Sequence, residues 1–108
     1  MVVDIKRFEI YLVKLNPTIG SEIQKTRLCI IISPNEMNIL KTVIVAPMTS
    51  KGFDFIFRPK ITFEKKEGLL LLDQIRTVNK TRLIKKLGTV EKRTSQEISK
   101  MLVQMFEL

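Results

Sequence analysis

With 108 residues, 44% of them apolar, the chain has room for one domain with one core. A core of this size buries roughly 60 to 65% of the unfolded surface, enough to fold without staples. Nineteen Lys and Arg against eleven Asp and Glu leave a net charge of +8, which favours a polyanion or a strongly acidic protein as partner. There is no histidine, which excludes His-dependent nuclease and Ser-His hydrolase mechanisms, and the single Cys29 excludes an internal disulfide.

Charges at Asp4, Lys6, Arg7, Glu9 and Lys14 interrupt any signal-peptide core at the N-terminus, and the "LLLL" run from Leu69 is far too short to span a bilayer. A cytoplasmic protein that does not enter the membrane is expected. Residues 8–15, "FEIYLVKL", read as a first strand, ended by the Asn-Pro and Gly-Ser turn signals of residues 16–21. The run "RLCIIIS", residues 27–33, reads as a buried second strand, stopped by Pro34 and Asn35. A third strand, "TVIVAPM", covers residues 42–48, with Pro47 near its end where ladder bonding ceases.

After Lys51 and Gly52, "FDFIF" (residues 53–57) and "KITFE" (60–64) both alternate, as a hairpin pair or one bent edge strand. "GLLLLDQI" (68–75) is a further strand opened by Gly68. "NKTRLIKKLG" (79–88) suggests a helical turn closed by Gly88, followed by a short strand "GTV". Thr94 with Glu97 three residues on forms a capping box, and Ile98, Met101, Leu102, Met105 and Phe106 recur at helical spacing. Several short strands followed by one helix predict an α+β fold: a small, closed or strongly bent antiparallel barrel with a C-terminal amphipathic helix. The whole chain, residues 1–108, is expected to be a single domain.

Polar groups concentrate at three strand ends: "QKTR" before the second strand, "MTSKG" after the third, and "LDQIRT" at the end of the Leu-rich one. The basic tract from Arg76 to Arg93 adds seven cations against one acid, Glu91. Each cluster alone has a plain structural explanation: a turn whose hydroxyls bond nearby backbone, a strand-end cap, a solvated face. Together, gathered at one mouth of a barrel, they predict a site. Neither a zinc spacing nor a Gly-rich phosphate loop is present, so any catalysis runs on Arg, Lys, Thr, Ser, Asp, Glu or Tyr, and no metal or cofactor is expected.

The segments "IYLVKLNPTIGSEIQKTRLCIIISPNEMN", "KTVIVAPMTSKG", "LLLLDQIRTVNKTRL" and "KKLGTV" followed by the helix resemble the MazF/PemK-type toxin endoribonucleases, from about Glu9 to Leu108. The resemblance implies an SH3-like barrel acting as a homodimer that cuts single-stranded RNA at short sequences without a metal ion. It implies further that the reaction is attack by the ribose 2′-hydroxyl on the adjacent phosphate, and that an acidic antitoxin holds the toxin inactive. By position, the resemblance puts the catalytic arginine at Arg27, the catalytic threonine at Thr49, and an acidic group used by some members at Asp73. It places Glu22, Gln24, Lys25, Ser50, Lys51, Gln74 and Arg76 on the RNA groove, its closing loop or the dimer interface. Two departures stand out: Phe8-Glu9 where the family usually has Gly-Asp, and Leu28 where it usually has proline. The runner-up is a protein on the same barrel that binds nucleic acid without cutting it, or that poisons a topoisomerase.

Overall fold

A computed structural model describes residues 4–22 and 25–107. Seven strands and one helix follow in chain order: β1 (Glu9–Lys14), β2 (Thr26–Ile31), β3 (Thr42–Thr49), β4 (Lys60–Phe63), β5 (Lys66–Leu70), β6 (Arg76–Asn79), β7 (Leu83–Thr89) and α1 (Lys92–Phe106). The strands form one antiparallel sheet in the order β4-β5-β3-β2-β1-β7, with β6 beside the first half of β3. Together with α1 this is a curled half-barrel of the α+β class, as the alternation and the C-terminal helical period predict.

The apolar runs of β1 to β3 reflect burial on both faces. Ile10, Ile30, Ala46 and Met48 point into one cluster, sealed by Ile98 and Leu102 of α1. Tyr11, Val13, Cys29, Ile31, Val43 and Val45 point into the other, covered by Val78 and Leu83 where β6 and β7 curl across. A strand with apolar neighbours on both sides loses its polar alternation, so "LCIII" reads as a continuous run. Pro47 pairs with Cys29 inside the ladder, one position further into the sheet than its sequence suggested, and its carbonyl accepts from Leu71 N–H at 2.9 Å.

Four expectations are corrected. Residues 53–57 form no strand; Phe53, Phe55 and Ile56 lie in an exposed loop, with the Arg58 guanidinium 5.5 and 5.9 Å from the Phe53 and Phe55 rings. The hairpin is instead β4-β5, turning at Glu64 and Lys65, both at positive φ (51° and 65°). That two-residue geometry normally carries Asn or Gly, so nothing in the residue types announced it. Residues 79–88 hold only one 3-10 turn, Lys80–Arg82, before β7 begins. Gly88 is therefore a strand residue, and it is small because a Cβ there would meet Phe63 Cε1 at 3.0 Å, where the two ends of the curled sheet approach.

The helix also starts earlier than the capping box implied. Its cap position is Glu91, with no side-chain cap bond, and Thr94 lies inside the first turn, its hydroxyl donating to Glu91 Oε1 at 3.3 Å. Ile98 and Leu102 are buried as expected, Met101 and Met105 pack partly against the core, and Phe106 is 70% exposed.

The Phe8-Glu9 departure has a local setting at each residue. Phe8 takes φ +70°, a conformation glycine adopts without strain and phenylalanine does not. Glu9 is buried; its Oε1 accepts Lys6 N–H at 2.7 Å and Tyr11 O–H at 3.4 Å, and its Oε2 pairs with Lys86 Nζ at 2.6 Å.

Burial, and then the Glu9 charge, push the Tyr11 phenol up to about 12, and burial pushes the Cys29 thiol up to about 12. The unfolded chain releases these protons near 10 and 9, so the folded state is favoured fully below pH 9 and loses that advantage between about pH 9 and 12. Melting temperature is expected to fall across this window, and less steeply in Tyr11→Phe. Since Tyr11 is the only tyrosine, phenolate absorbance reads it directly; titration near 10 in the folded protein contradicts this account.

Candidate active site

Arg27 lies at the second position of β2, paired with Val13 of β1, where the strand emerges from the core. Thr49 ends β3, and Ser50 and Lys51 follow it into solvent. β5 runs beside Thr49, with Leu69 as its ladder partner. Gly68 makes this approach possible, since a Cβ there would stand 3.0 Å from the Thr49 carbonyl oxygen.

These elements enclose a cleft of about 320 Å³. Arg27, Thr49, Ser50, Glu64, Lys66 and Glu67 supply its polar wall, and Leu12, Leu28 and Phe63 its apolar floor. The Arg27 side chain is exposed and enters no ion pair among the described residues, so its planar fork is open to an oxyanion. The Thr49 hydroxyl accepts Lys51 N–H at 3.1 Å, which leaves its own proton to donate. Leu28 is half-buried, faces Leu12 across the ladder and packs on the inner core cluster, fastening the strand just past Arg27.

Lys25 has φ +68°, an unfavourable value for a lysine, and its surroundings hold it there. Its N–H donates to Asn16 Oδ1 at 2.9 Å, and its carbonyl accepts Leu15 N–H at 2.9 Å. Arg76 donates to the Leu15 carbonyl at 3.2 Å, and Arg82 donates to the carbonyls of Lys14 (3.2 Å) and Asn16. Two arginines from the β6–β7 segment therefore clamp the stem of the loop that leads into Arg27. Arg82 carried no signal in the sequence beyond its charge.

The basic tract is accordingly more structural than its composition suggested. Lys80 donates to the Asn38 carbonyl and Lys86 pairs with Glu9, so Arg76, Lys80, Arg82 and Lys86 all serve the fold, while Lys85, Lys92 and Arg93 are exposed.

The remaining expected site residues are dispersed. Asp73 lies in the 3-10 turn Leu72–Gln74 and does not line the cleft; Arg58 holds it in a two-bond fork, Nε to Oδ1 at 2.9 Å and Nη2 to Oδ2 at 2.8 Å. The hydrogen bonds from Arg58 keep this carboxyl below its ordinary range, and the guanidinium is raised in turn. Gln74 is half-buried in the same turn, its N–H donating to the Leu71 carbonyl at 3.0 Å. Glu22 is exposed and its Oε1 accepts Ile19 N–H at 2.6 Å. Gln24 lies outside the described residues. Glu64, Lys66 and Glu67, which the sequence did not single out, join the cleft because the tight turn at Glu64 and Lys65 folds β5 back beside Thr49.

A larger cleft of about 600 Å³ lies between residues 55–59 and Met101, Gln104 and Glu107 of the helix, away from Arg27. No helix among the described residues is long and apolar enough to cross a membrane.

The strand ends of this half-barrel thus gather an exposed arginine, a threonine and carboxylates around one cleft. The chain belongs to the PemK-like, MazF-like toxins of type II toxin-antitoxin systems, whose family model matches residues 6–106. A curated relative, Endoribonuclease MazF of Staphylococcus saprophyticus, is 33% identical over 101 residues, covering 87% of this chain and 84% of its own. Endoribonuclease activity is thus the activity of this chain's class. In fold, the chain is similar to MazF from Deinococcus radiodurans, with a TM-score of 0.81 at 17% identity, covering 95% of this chain and 96% of that one. It is likewise similar to a mycobacterial endoribonuclease solved in complex with its cognate antitoxin, with a TM-score of 0.78 at 21% identity, covering 95% of each chain.

Proposed function

We propose that this MazF-type toxin cuts single-stranded RNA at short specific sequences, without a metal ion, in the cleft between Arg27 and Thr49. The observation that carries the reading is that these two residues, from different strands, wall one cleft with their donors open. A phosphate gains negative charge as it becomes five-coordinate, and fixed donors aimed at that charge lower the barrier more than they stabilise the ground state. Arg27 grips the phosphoryl oxygens with its fork and passes a proton to the departing 5′ oxygen, regaining one from solvent. Thr49 donates to a phosphoryl oxygen and orients the ribose. The products are a cyclic phosphate and a free 5′-hydroxyl.

Lys25, Ser50 and Lys51, exposed at the cleft or beside it, contact the RNA backbone, and the net charge of +8 draws the strand in. Glu22 and Gln24 are assigned to contact RNA, and Arg76 holds the segment that leads to them through the Leu15 carbonyl. Asp73, paired with Arg58, holds the exposed aromatic loop against the Leu72–Gln74 turn. The protein works as a cytoplasmic homodimer and is neutralised by an acidic antitoxin, whose charge complements the basic surface.

The purified protein is expected to cleave a single-stranded RNA in the presence of a chelator. Sequencing the new 5′ ends should return one short recurring motif. Salt-dependent binding without product overturns the enzymatic reading, and activity that disappears with the chelator overturns the metal-free mechanism.

A further inference from the structure

The reaction needs a group that takes the 2′-hydroxyl proton, and neither Thr49 nor Asp73, the other two catalytic positions that the family resemblance implies, is placed to do so. A threonine hydroxyl is a poor base, and the Thr49 oxygen already accepts Lys51 N–H. Asp73 lies outside the cleft with both carboxylate oxygens bonded to Arg58. We propose that Glu67 is the general base, an assignment that rests on reading the cleft as the RNA-cleaving centre.

Glu67 lines the same cleft as Arg27 and Thr49, is exposed, and forms no ion pair among the described residues. Its position in β5 follows from the ladder. Leu69 is the partner of Thr49, and side chains two apart on a strand share a face, so Glu67 rises on the face that carries the Thr49 hydroxyl. Such diagonal neighbours are separated by roughly 7 to 8 Å at the backbone, a span that a glutamate and a bound ribose between them fill. The adjoining Gly68 presses β5 against the Thr49 carbonyl and fixes the separation. The cleft's other carboxylate, Glu64, stands in the hairpin turn at φ +51°, beyond the end of β4. The charged groups sharing the cleft with Glu67 are Arg27 on β2, Glu64 in the turn and Lys66 on β5.

In the reaction the Glu67 carboxylate takes the 2′-hydroxyl proton as the 2′ oxygen bonds to phosphorus. The bond from phosphorus to the 5′ oxygen then breaks, and its electron pair stays on that oxygen. Arg27 protonates the leaving oxygen, and both side chains return to their starting states by exchange with water. With no histidine in the chain, a carboxylate is the remaining strong acceptor.

Single-turnover cleavage of a short RNA by Glu67→Gln tests the assignment. General-base removal is expected to lower the rate on the order of 10² to 10³-fold, with KM for RNA unchanged or lower because a negative charge has left the cleft. The acid-side fall of the parent's pH-rate profile should disappear, and Glu67→Asp, which keeps a shorter base, should restore part of the rate together with that fall. A near-parental rate for Glu67→Gln overturns the proposal, as does loss of the acid limb in Asp73→Asn or Glu64→Gln while Glu67→Gln keeps it. If the parent cuts RNA and Arg27→Ala does not, either failure touches the base alone. A parent that cuts no RNA overturns the reading of the cleft and this assignment with it.

Discussion

Arg27→Ala is expected to lower RNA cleavage on the order of 10³-fold while leaving the melting temperature nearly unchanged. Loss of one preorganised donor to a charged transition state costs about 10² to 10³ in rate, and Arg27 supplies two donors and a full charge. The stability side follows from exposure: among the described residues the side chain enters no ion pair and belongs to neither core cluster, and such surface changes stay within ~0.5 kcal/mol. Arg27→Lys restores the charge without the planar fork, so it should recover only a fraction of the lost rate. Single-turnover cleavage of one RNA substrate, with circular dichroism melts of each variant, measures both quantities. An Arg27→Ala protein that cuts as fast as its parent removes this residue from the chemistry, and one that fails to fold removes the claim that its role is local.

The second large effect is at Gly68, which has no side chain to take part in the chemistry and lines the cleft with backbone alone. A Cβ added there would meet the Thr49 carbonyl oxygen at 3.0 Å and the carbonyl carbon at 3.6 Å. Two effects oppose one another in Gly68→Ala. Replacing a strand glycine recovers ~0.5 to 1 kcal/mol of backbone entropy, whereas forcing a methyl into a close-packed contact costs ~1 to 3 kcal/mol. The contact should win, because the obstructing atom is backbone in a paired strand and cannot swing aside as a side chain would. A net loss of about 1 kcal/mol is expected, with a fall in cleavage of at least ~10-fold as β3 and β5 part at Thr49, since small misplacements of reacting groups are costly. Gly68→Val should be worse on both counts. Unchanged kcat in a folded Gly68→Ala protein would show that Thr49 tolerates displacement and does not position the phosphate.

Legibility in the sequence followed the range of the interactions involved. The spans of β1, β2 and β3 were readable to within a residue or two, because each is an apolar run closed by Pro, Gly or Asn, and both signals are local. The period of α1 was equally plain, although its first turn was misplaced: Thr94 and Glu97 have the spacing of a capping box, yet the chain enters the helix at Lys92 with Ser95 Oγ donating to the Glu91 carbonyl at 3.1 Å. The "FDFIF" segment misled for the opposite reason. Its alternation is that of a strand, but residues 53–57 enter no ladder, although β4 ends the sheet and is bonded only to β5. Its rings settle around Arg58 instead.

The same division runs through the cleft. The residue types alone left arginine one of the few groups able to steady phosphate charge in a chain lacking histidine, and Arg27, Thr49 and Asp73 were visible as polar groups at the ends of apolar strands. Which of them face one another was a question of register. Only the folded sheet decided that Asp73 turns to Arg58, that Arg76 and Arg82 bond to the carbonyls of the loop stem, and that Glu67 comes up beside Thr49. The physical reason is that strand pairing joins residues with no sequence relation to one another, through turns such as Glu64-Lys65 whose conformation the surrounding ladder imposes. Side-chain chemistry was written in the sequence, and the company each side chain keeps was set by the tertiary structure.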